Sequence, residues 1–256
     1  VKAPGEYAKI MLPELTFPYL IPGQEVLLDD GKIHLKIVEK AENVTENGGE
    51  NTQEKRYFAK VLWGGLLKSR KSAALPGAKI YPPTLTNSDL ANIKIAKEMG
   101  VTGVMQPFVR DHSDLECVKE ALREAGAEDI RLFAKIENMD GVRKLEKLLP
   151  AADEIVIARG DLGNAVHLWD LPGVQRQISE KCRAAGKPFM VVTQMLASME
   201  RSPVPTRAEV NDIFHAVMDG AASIMVTGET AVGDYPVEVI RYMVNTVRSA
   251  EKEENR

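Results

Sequence analysis

The chain has 256 residues, 44% of them hydrophobic and 27% charged, a balance that excludes fibrous and wholly disordered classes and allows one large or two modest cores. Lysine and arginine total 33 against 37 aspartate and glutamate, a formal net charge of −4, so no global positive field draws in nucleic acid or an anionic membrane. There is no apolar run long enough for a membrane span and no signal-peptide core, so a cytoplasmic protein handling a small substrate through local, focused charge is expected.

In chain order, residues 7–76 read as all-β. Ile21-Pro22-Gly23-Gln24 and Leu28-Asp29-Asp30-Gly31 carry turn chemistry, and residues 33–38 alternate apolar and polar with period two. Residues 43–56 are polar and without periodicity, which predicts a long hairpin loop; the sequon Asn43-Val44-Thr45 within it is taken as a chance match. Lys68-Ser69-Arg70-Lys71 follows, a basic cluster in an acidic protein, suited to a solvated face or to a polyphosphate.

After Leu75-Pro76-Gly77 the pattern changes to short β-branched runs, each followed by an amphipathic stretch, which is the signature of βα units around a parallel sheet. Strands are predicted at 104–109, 130–136, 154–158, 189–192 and 222–226. Helices are predicted at 87–99 (with an Asn/Ser cap), 113–125, 141–149, 172–185, 206–218 and 236–251. A closed barrel of this kind needs eight strands, so either three units are missing or the sheet is open and five-stranded. Cys117 and Cys182 match no metal-ligand spacing and are expected to be buried free thiols.

Four strand ends carry chemistry. In Lys135-Ile136-Glu137-Asn138, alternation puts Lys135 and Glu137 on one face: a cation and an anion in one site, or an ordinary salt bridge. Ala158-Arg159-Gly160-Asp161-Leu162-Gly163 ends the next strand and brings a second carboxylate, which with Glu137 could hold one hard divalent ion, or which could simply cap a helix. Glycines 160 and 163 free backbone N–H groups to receive a substrate carboxylate. Val192-Thr193-Gln194-Met195 supplies a hydroxyl and an amide for positioning a water or a proton, and Thr227-Gly228-Glu229-Thr230 suits a phosphate or a loop bend. Histidines 34, 112, 167 and 215 show no ligand spacing, and no Gly-rich nucleotide loop is present.

With Ala134-Lys135-Ile136-Glu137-Asn138, the Arg159-Gly160-Asp161 strand end, Gly186-Lys187-Pro188, Thr193-Gln194-Met195-Leu196, Pro205-Thr206-Arg207-Ala208-Glu209 and Thr227-Gly228-Glu229-Thr230-Ala231 in this order, the chain resembles the pyruvate kinase family over nearly its whole length. The resemblance implies an α/β fold: the last five βα units of a (β/α)8 TIM-type barrel (residues 77–256), with a small all-β lid domain (residues 1–76). It also implies transfer of the phosphoryl group of phosphoenolpyruvate to ADP, giving pyruvate and ATP, with Mg²⁺ or Mn²⁺ as cofactor. Carried over, Lys135 stabilises the phosphoryl group in flight, and Glu137 and Asp161 hold the metal. The backbone of Arg159, Gly160 and Asp161 grips the substrate carboxylate, Thr193 stands where the enolate carbon is protonated, and Lys71 reaches the nucleotide. A homo-oligomer is expected, with no nucleic-acid or membrane partner.

The chain departs from the family pattern in several places. The Arg-x-Asn-x-Ser-His-Gly stretch that helps build the phosphate and K⁺ site is not among these residues, which leaves K⁺ dependence open. Ala165 stands where a Glu is usual, and Pro107 where a Ser is usual. Lys2-Ala3-Pro4-Gly5-Glu6 reads as the family's Lys-Gly-Pro-Glu, so the chain is expected to begin just after the third barrel strand and to lack a C-terminal effector domain, the gap being closed by residues outside these 256. Two further functions stay open: a metal-dependent lyase or aldolase acting on a pyruvate enolate, which uses paired carboxylates but needs no polyphosphate grip, and an inactive binding protein of the same family.

Overall fold

The computed structural model describes residues 8–29, 31–41, 55–69, 71–78 and 80–254, which fall into two compact units divided between Pro82 and Pro83. The sequon, nearly all of the predicted hairpin loop, the Lys2 to Glu6 stretch, Asp30 and Arg70 lie outside the described residues.

The first unit is built on an antiparallel sheet of order β3-β2-β1-β4, with β1 at Glu25–Leu28, β2 at Ile33–Lys40, β3 at Tyr57–Trp63 and β4 at Ala73–Ala74. The period-two pattern of β2 does the work expected of it: Ile33, Leu35 and Ile37 are buried with Val26 and Leu28 of β1, while Lys36 and Val38 face solvent. Between β1 and β2 the chain reverses through Asp29 and Gly31, both left-handed at φ 50° and 81°. One element breaks the all-β expectation, a 3-10 helix at Glu14–Tyr19. Pro13 pre-sets its entry, and the Thr16 hydroxyl and N–H both donate back to the Pro13 carbonyl, at 2.7 and 2.9 Å.

The second unit holds five parallel strands: β5 (Gly103–Gln106), β6 (Arg131–Ile136), β7 (Glu154–Ala158), β8 (Phe189–Val192) and β9 (Ser223–Met225). Their spatial order follows chain order without reversal. An open doubly wound sheet reverses direction at a switch point, so this sequential order is that of an arc of a (β/α) barrel wall. One face of the arc packs against helices through Leu132, Ile136, Ile155, Ile157 and Val191; the other carries Val156, Ala158, Met190 and Val192 with Phe133 and Met225.

Helices α1 (Asn87–Ala96), α2 (His112–Glu124), α6 (Leu171–Ala184), α7 (Arg207–Met218) and α9 (Pro236–Glu254) fill the predicted gaps. The cap of α1 is Thr86 rather than the expected Asn or Ser, because Thr86 and Asp89 form a reciprocal capping box. The single helix expected at 141–149 is two short ones, α3 (Met139–Arg143) and α4 (Leu145–Leu148), broken where Lys144 leaves helical geometry. Two further short helices follow strands closely: α5 (Arg159–Ala165) begins directly at the end of β7, and α8 (Gly228–Ala231) begins after Val226 and Thr227 leave β9. Among the described residues no helix is long and apolar enough to cross a membrane.

One of the two thiols differs from expectation. Cys182 is buried on α6, where burial pushes its pKa up to about 12, but Cys117 is exposed. On α2 the buried face is Leu115, Val118, Ala121 and Leu122, and Cys117 falls on the other side of the 3.6-residue period. Titration with a thiol-reactive disulfide near pH 8 is therefore expected to modify Cys117 in the native protein and Cys182 only after unfolding. Equal reaction of both native thiols would contradict this packing.

Candidate active site

Because the five strands are parallel, their C-terminal ends share one edge of the sheet, and the segments leaving that edge carry the candidate residues. On β6, Lys135 lies two residues beyond Phe133 on the face opposite the helices, while Ala134 and Ile136 are buried in the helix-side core. Lys135 Nζ stands 2.7 Å from Glu137 Oε1; the Glu137 side chain is 1% exposed and that of Lys135 25%. Glu137 Oε2 accepts a hydrogen bond from the Phe108 N–H at 2.7 Å. Phe108 has φ 51°, a conformation that bulky residues rarely adopt, and its amide serves the neighbouring strand end. Glu137 is thus a buried carboxylate held by an ammonium and an amide, with lone pairs on both oxygens to spare.

The segment leaving β5 is fastened on both sides of Phe108. Val109 donates to the Lys135 carbonyl at 3.3 Å and accepts from Asn138 Nδ2 at 3.1 Å, and Asn138 in turn caps α3 through the Gly141 N–H at 2.9 Å. Next along, the buried Asp114 carboxylate receives Arg110 Nε and Nη2 at 3.0 and 2.6 Å, the Arg110 N–H at 2.8 Å and the Thr84 hydroxyl at 2.6 Å. Burial alone would push the Asp114 carboxyl up, but the hydrogen bonds and charge of Arg110 and the Thr84 hydroxyl outweigh it and hold it at about 2, below the ordinary 3.8. A depressed carboxyl stabilises the fold fully above its unfolded pKa and loses that contribution as pH falls through the folded one. Between pH 5 and pH 2 the wild type is therefore expected to lose about 1–2 kcal/mol more, by urea midpoint, than Asp114→Asn. Parallel acid curves for the two proteins would contradict the assignment.

At the end of β7, Arg159, Gly160 and Asp161 form the first turn of α5. At the end of β8, Thr193 and Gln194 are both left-handed, at φ 84° and 56°. Neither is glycine and Thr193 is β-branched, so each conformation costs about 1–3 kcal/mol and persists only if its surroundings impose it. They do. A Cβ on Gly160 would come within 3.1 Å of Thr193 Cγ2, so the two strand ends pack closely and a larger residue there would press on the threonine. The Arg159 side chain turns away from the strand end: Nη2 and Nε donate to the Thr193 carbonyl at 2.7 and 3.2 Å, and Nη1 reaches Asp212 Oδ1 and Oδ2 on α7 at 2.8 and 2.7 Å.

Farther along this loop, the Leu196 N–H reaches the buried Glu229 at 3.2 Å, and Glu229 also receives the Thr227 N–H at 2.8 Å. The Thr227-Gly228-Glu229-Thr230 motif, open between phosphate and loop bend in the sequence, has here the geometry of a loop clamp. Ser198 donates through N–H and hydroxyl to Glu209, at 2.7 and 2.5 Å, and Glu209 is also bonded to Thr206. Burial pushes the Glu209 carboxyl up, but these bonds outweigh it and hold it below the usual range.

Lys135, Glu137, Arg159, Gly160, Asp161 and Thr193 therefore come together at adjacent strand ends of one sheet. Lys71 belongs to the other unit, where its Nζ pairs with Asp29 Oδ1 at 2.8 Å. Among the described residues no three His, Cys, Asp or Glu side chains gather as a ready-made metal cage. Two carboxylates leave adjacent strand ends, Glu137 just past β6 and Asp161 in the first turn of α5. Phe108, Asp212 and Glu229 act at the site without having been singled out individually. Asp212 reads as one more charge on an amphipathic helix, and a left-handed phenylalanine leaves no trace in sequence.

Residues 6–240 match the family profile described as pyruvate kinase, barrel domain. The chain is 40% identical over 233 residues to a pyruvate kinase of Geobacillus stearothermophilus, covering 90% of this chain and 38% of that protein. It is 38% identical over 230 residues to that of Bacillus licheniformis, again 90% and 38%, and 34% identical over 242 residues to that of Chlamydia trachomatis serovar D, 94% and 47%. It thus spans less than half the length of these curated relatives.

Proposed function

The chain belongs to the pyruvate kinase family, and from that membership we propose that its site serves transfer of the phosphoryl group of phosphoenolpyruvate to ADP. The phosphorus–oxygen bond to the enol breaks, a new one forms to the terminal phosphate oxygen of ADP, and the enolate carbon takes a proton to give pyruvate. The observation that carries this reading is the buried Glu137 carboxylate, held by Lys135 at 2.7 Å and by the Phe108 amide at 2.7 Å on the edge where Asp161 also emerges.

In this reading Lys135 offsets the charge of the phosphoryl group between donor and acceptor, which is positioning and electrostatic stabilisation rather than covalent work. Glu137 and Asp161 would hold the divalent metal, Mg²⁺ or Mn²⁺, which would supply positive charge to offset the negative charge of the substrate oxygens. The N–H groups of Arg159, Gly160 and Asp161 at the start of α5 receive the substrate carboxylate. Thr193 stands on the face where the carbon is protonated. Lys71, from the all-β unit, is assigned to the nucleotide phosphates. A cytoplasmic, homo-oligomeric protein belongs to the same reading. No observation on the fold or the site favours the lyase or the inactive binding protein.

The test incubates the purified protein, with any chain that accompanies these 256 residues in place, with phosphoenolpyruvate, ADP and Mg²⁺ and follows ATP and pyruvate together. Equal amounts of both, abolished by a chelator, are expected. Pyruvate without ATP would overturn the phosphotransfer reading and leave a hydrolase or lyase.

A further inference from the structure

We propose that the Arg159 side chain, anchored by Asp212, is the positioning device that holds Thr193 in its left-handed conformation. The turn that receives the substrate carboxylate and the residue facing the enolate carbon then move as one body. The proposal rests on the reading of Thr193 given above, but its structural half stands on geometry alone.

A guanidinium carries its N–H donors in a rigid planar fork, and here all three nitrogens donate inside the protein. Nε donates to the Thr193 carbonyl at 3.2 Å, Nη1 to Asp212 Oδ1 and Oδ2 at 2.8 and 2.7 Å, and Nη2 to the Thr193 carbonyl at 2.7 Å and Met195 Sδ at 2.8 Å. With every nitrogen engaged in this way, the side chain of Arg159 acts on Thr193 and its backbone is the part assigned to the ligand. The carbonyl it grips belongs to the residue at φ 84°, and Gly160, next to Arg159, approaches the same threonine from the other side. Asp212, on α7, fixes the far end of the fork. Without its carboxylate Nη1 loses both of its acceptors and the far end of the guanidinium is free to swing, so the strained carbonyl loses its fixed partner.

The experiment uses the full chain labelled with ¹³C at threonine and methionine methyl groups. The Thr193 signal is assigned by its loss in Thr193→Ser, and Thr246 on α9 serves as the remote reference. Asp212→Ala, and to a smaller extent Asp212→Asn, are expected to shift and broaden or split the Thr193 and Met195 methyl signals while Thr246 stays in place. Unmoved Thr193 and Met195 signals would overturn the proposal. Should Asp212→Ala lose its native dispersion, Asp212→Asn is read by the same two outcomes. A second arm follows solvent deuterium entering the pyruvate methyl group in the presence of Mg²⁺. There Asp212→Asn is expected to slow exchange by about 10- to 100-fold with the KM for pyruvate unchanged, and a change in KM alone would count against positioning. If the wild type exchanges no deuterium, the role of Thr193 falls, and the methyl signals still decide whether Arg159 and Asp212 hold it.

Discussion

Lys135→Met is expected to lower phosphoryl transfer by at least about 100- to 1,000-fold while leaving the protein folded, the range seen when one charge-stabilising donor is removed from a preorganised site. Methionine keeps most of the length and bulk of the side chain, so the loss isolates the ammonium. Its partner, Glu137, is 1% exposed and is left with the Phe108 amide as the remaining contact described here. Stranding one half of a buried pair costs about 3–5 kcal/mol when water is excluded, but Lys135 is a quarter exposed and water can enter beside it, which reduces the expected cost to about 1–2 kcal/mol. The double variant Lys135→Met, Glu137→Gln separates the two effects. Urea denaturation should show stability restored, and steady-state kinetics should show activity still absent. A single variant with wild-type turnover would remove Lys135 from the mechanism.

Gly141→Ala is expected to destabilise the barrel unit by about 2–3 kcal/mol and to loosen the grip on Glu137 as well. A Cβ there would sit 2.6 Å from the Val109 carbonyl oxygen and 3.5 Å from Ile136 Cδ1, and a backbone carbonyl in a packed segment cannot step aside as a flexible side chain can. That carbonyl also accepts from Asn138 Nδ2, and the neighbouring Phe108 N–H holds Glu137, so displacement at Gly141 reaches the carboxylate through two hydrogen bonds. Gly173, near the start of α6, is the natural control because a Cβ there meets nothing within 4 Å. Gly173→Ala should instead stabilise by about 0.5–1 kcal/mol through the lower entropy of the unfolded chain. Thermal midpoints moving in opposite directions for these two substitutions would support the packing described; a neutral Gly141→Ala would contradict it.

What was legible in the sequence is what strand periodicity and strand-end motifs encode. Residues 154–158 and 189–192 are strands at the predicted limits because short β-branched runs buried on both faces leave little ambiguity. Alternation alone placed Lys135 and Glu137 on one face, and the pair closes at 2.7 Å. The illegible features depend on contacts between residues far apart in the chain or on unusual backbone. The left-handed Phe108, Thr193 and Gln194 follow no composition rule, since their conformations are imposed by partners at a distance. Asp212 meets Arg159 across 53 residues, and nothing in its own neighbourhood marks it. Cys117 is exposed because the phase of α2, fixed by Leu115, Val118 and Leu122, puts it outside. The helix expected at 141–149 breaks at Lys144, where only the observed backbone angles reveal the interruption.

Glu137 and Asp161, at the ends of β6 and β7, are proposed to share one divalent cation. Electron paramagnetic resonance of Mn²⁺, titrated into the protein with phosphoenolpyruvate present, tests it most directly because free and bound Mn²⁺ differ in signal amplitude. One bound ion per chain is expected, lost in Glu137→Gln and equally in Asp161→Asn. Undiminished binding in both variants would contradict it.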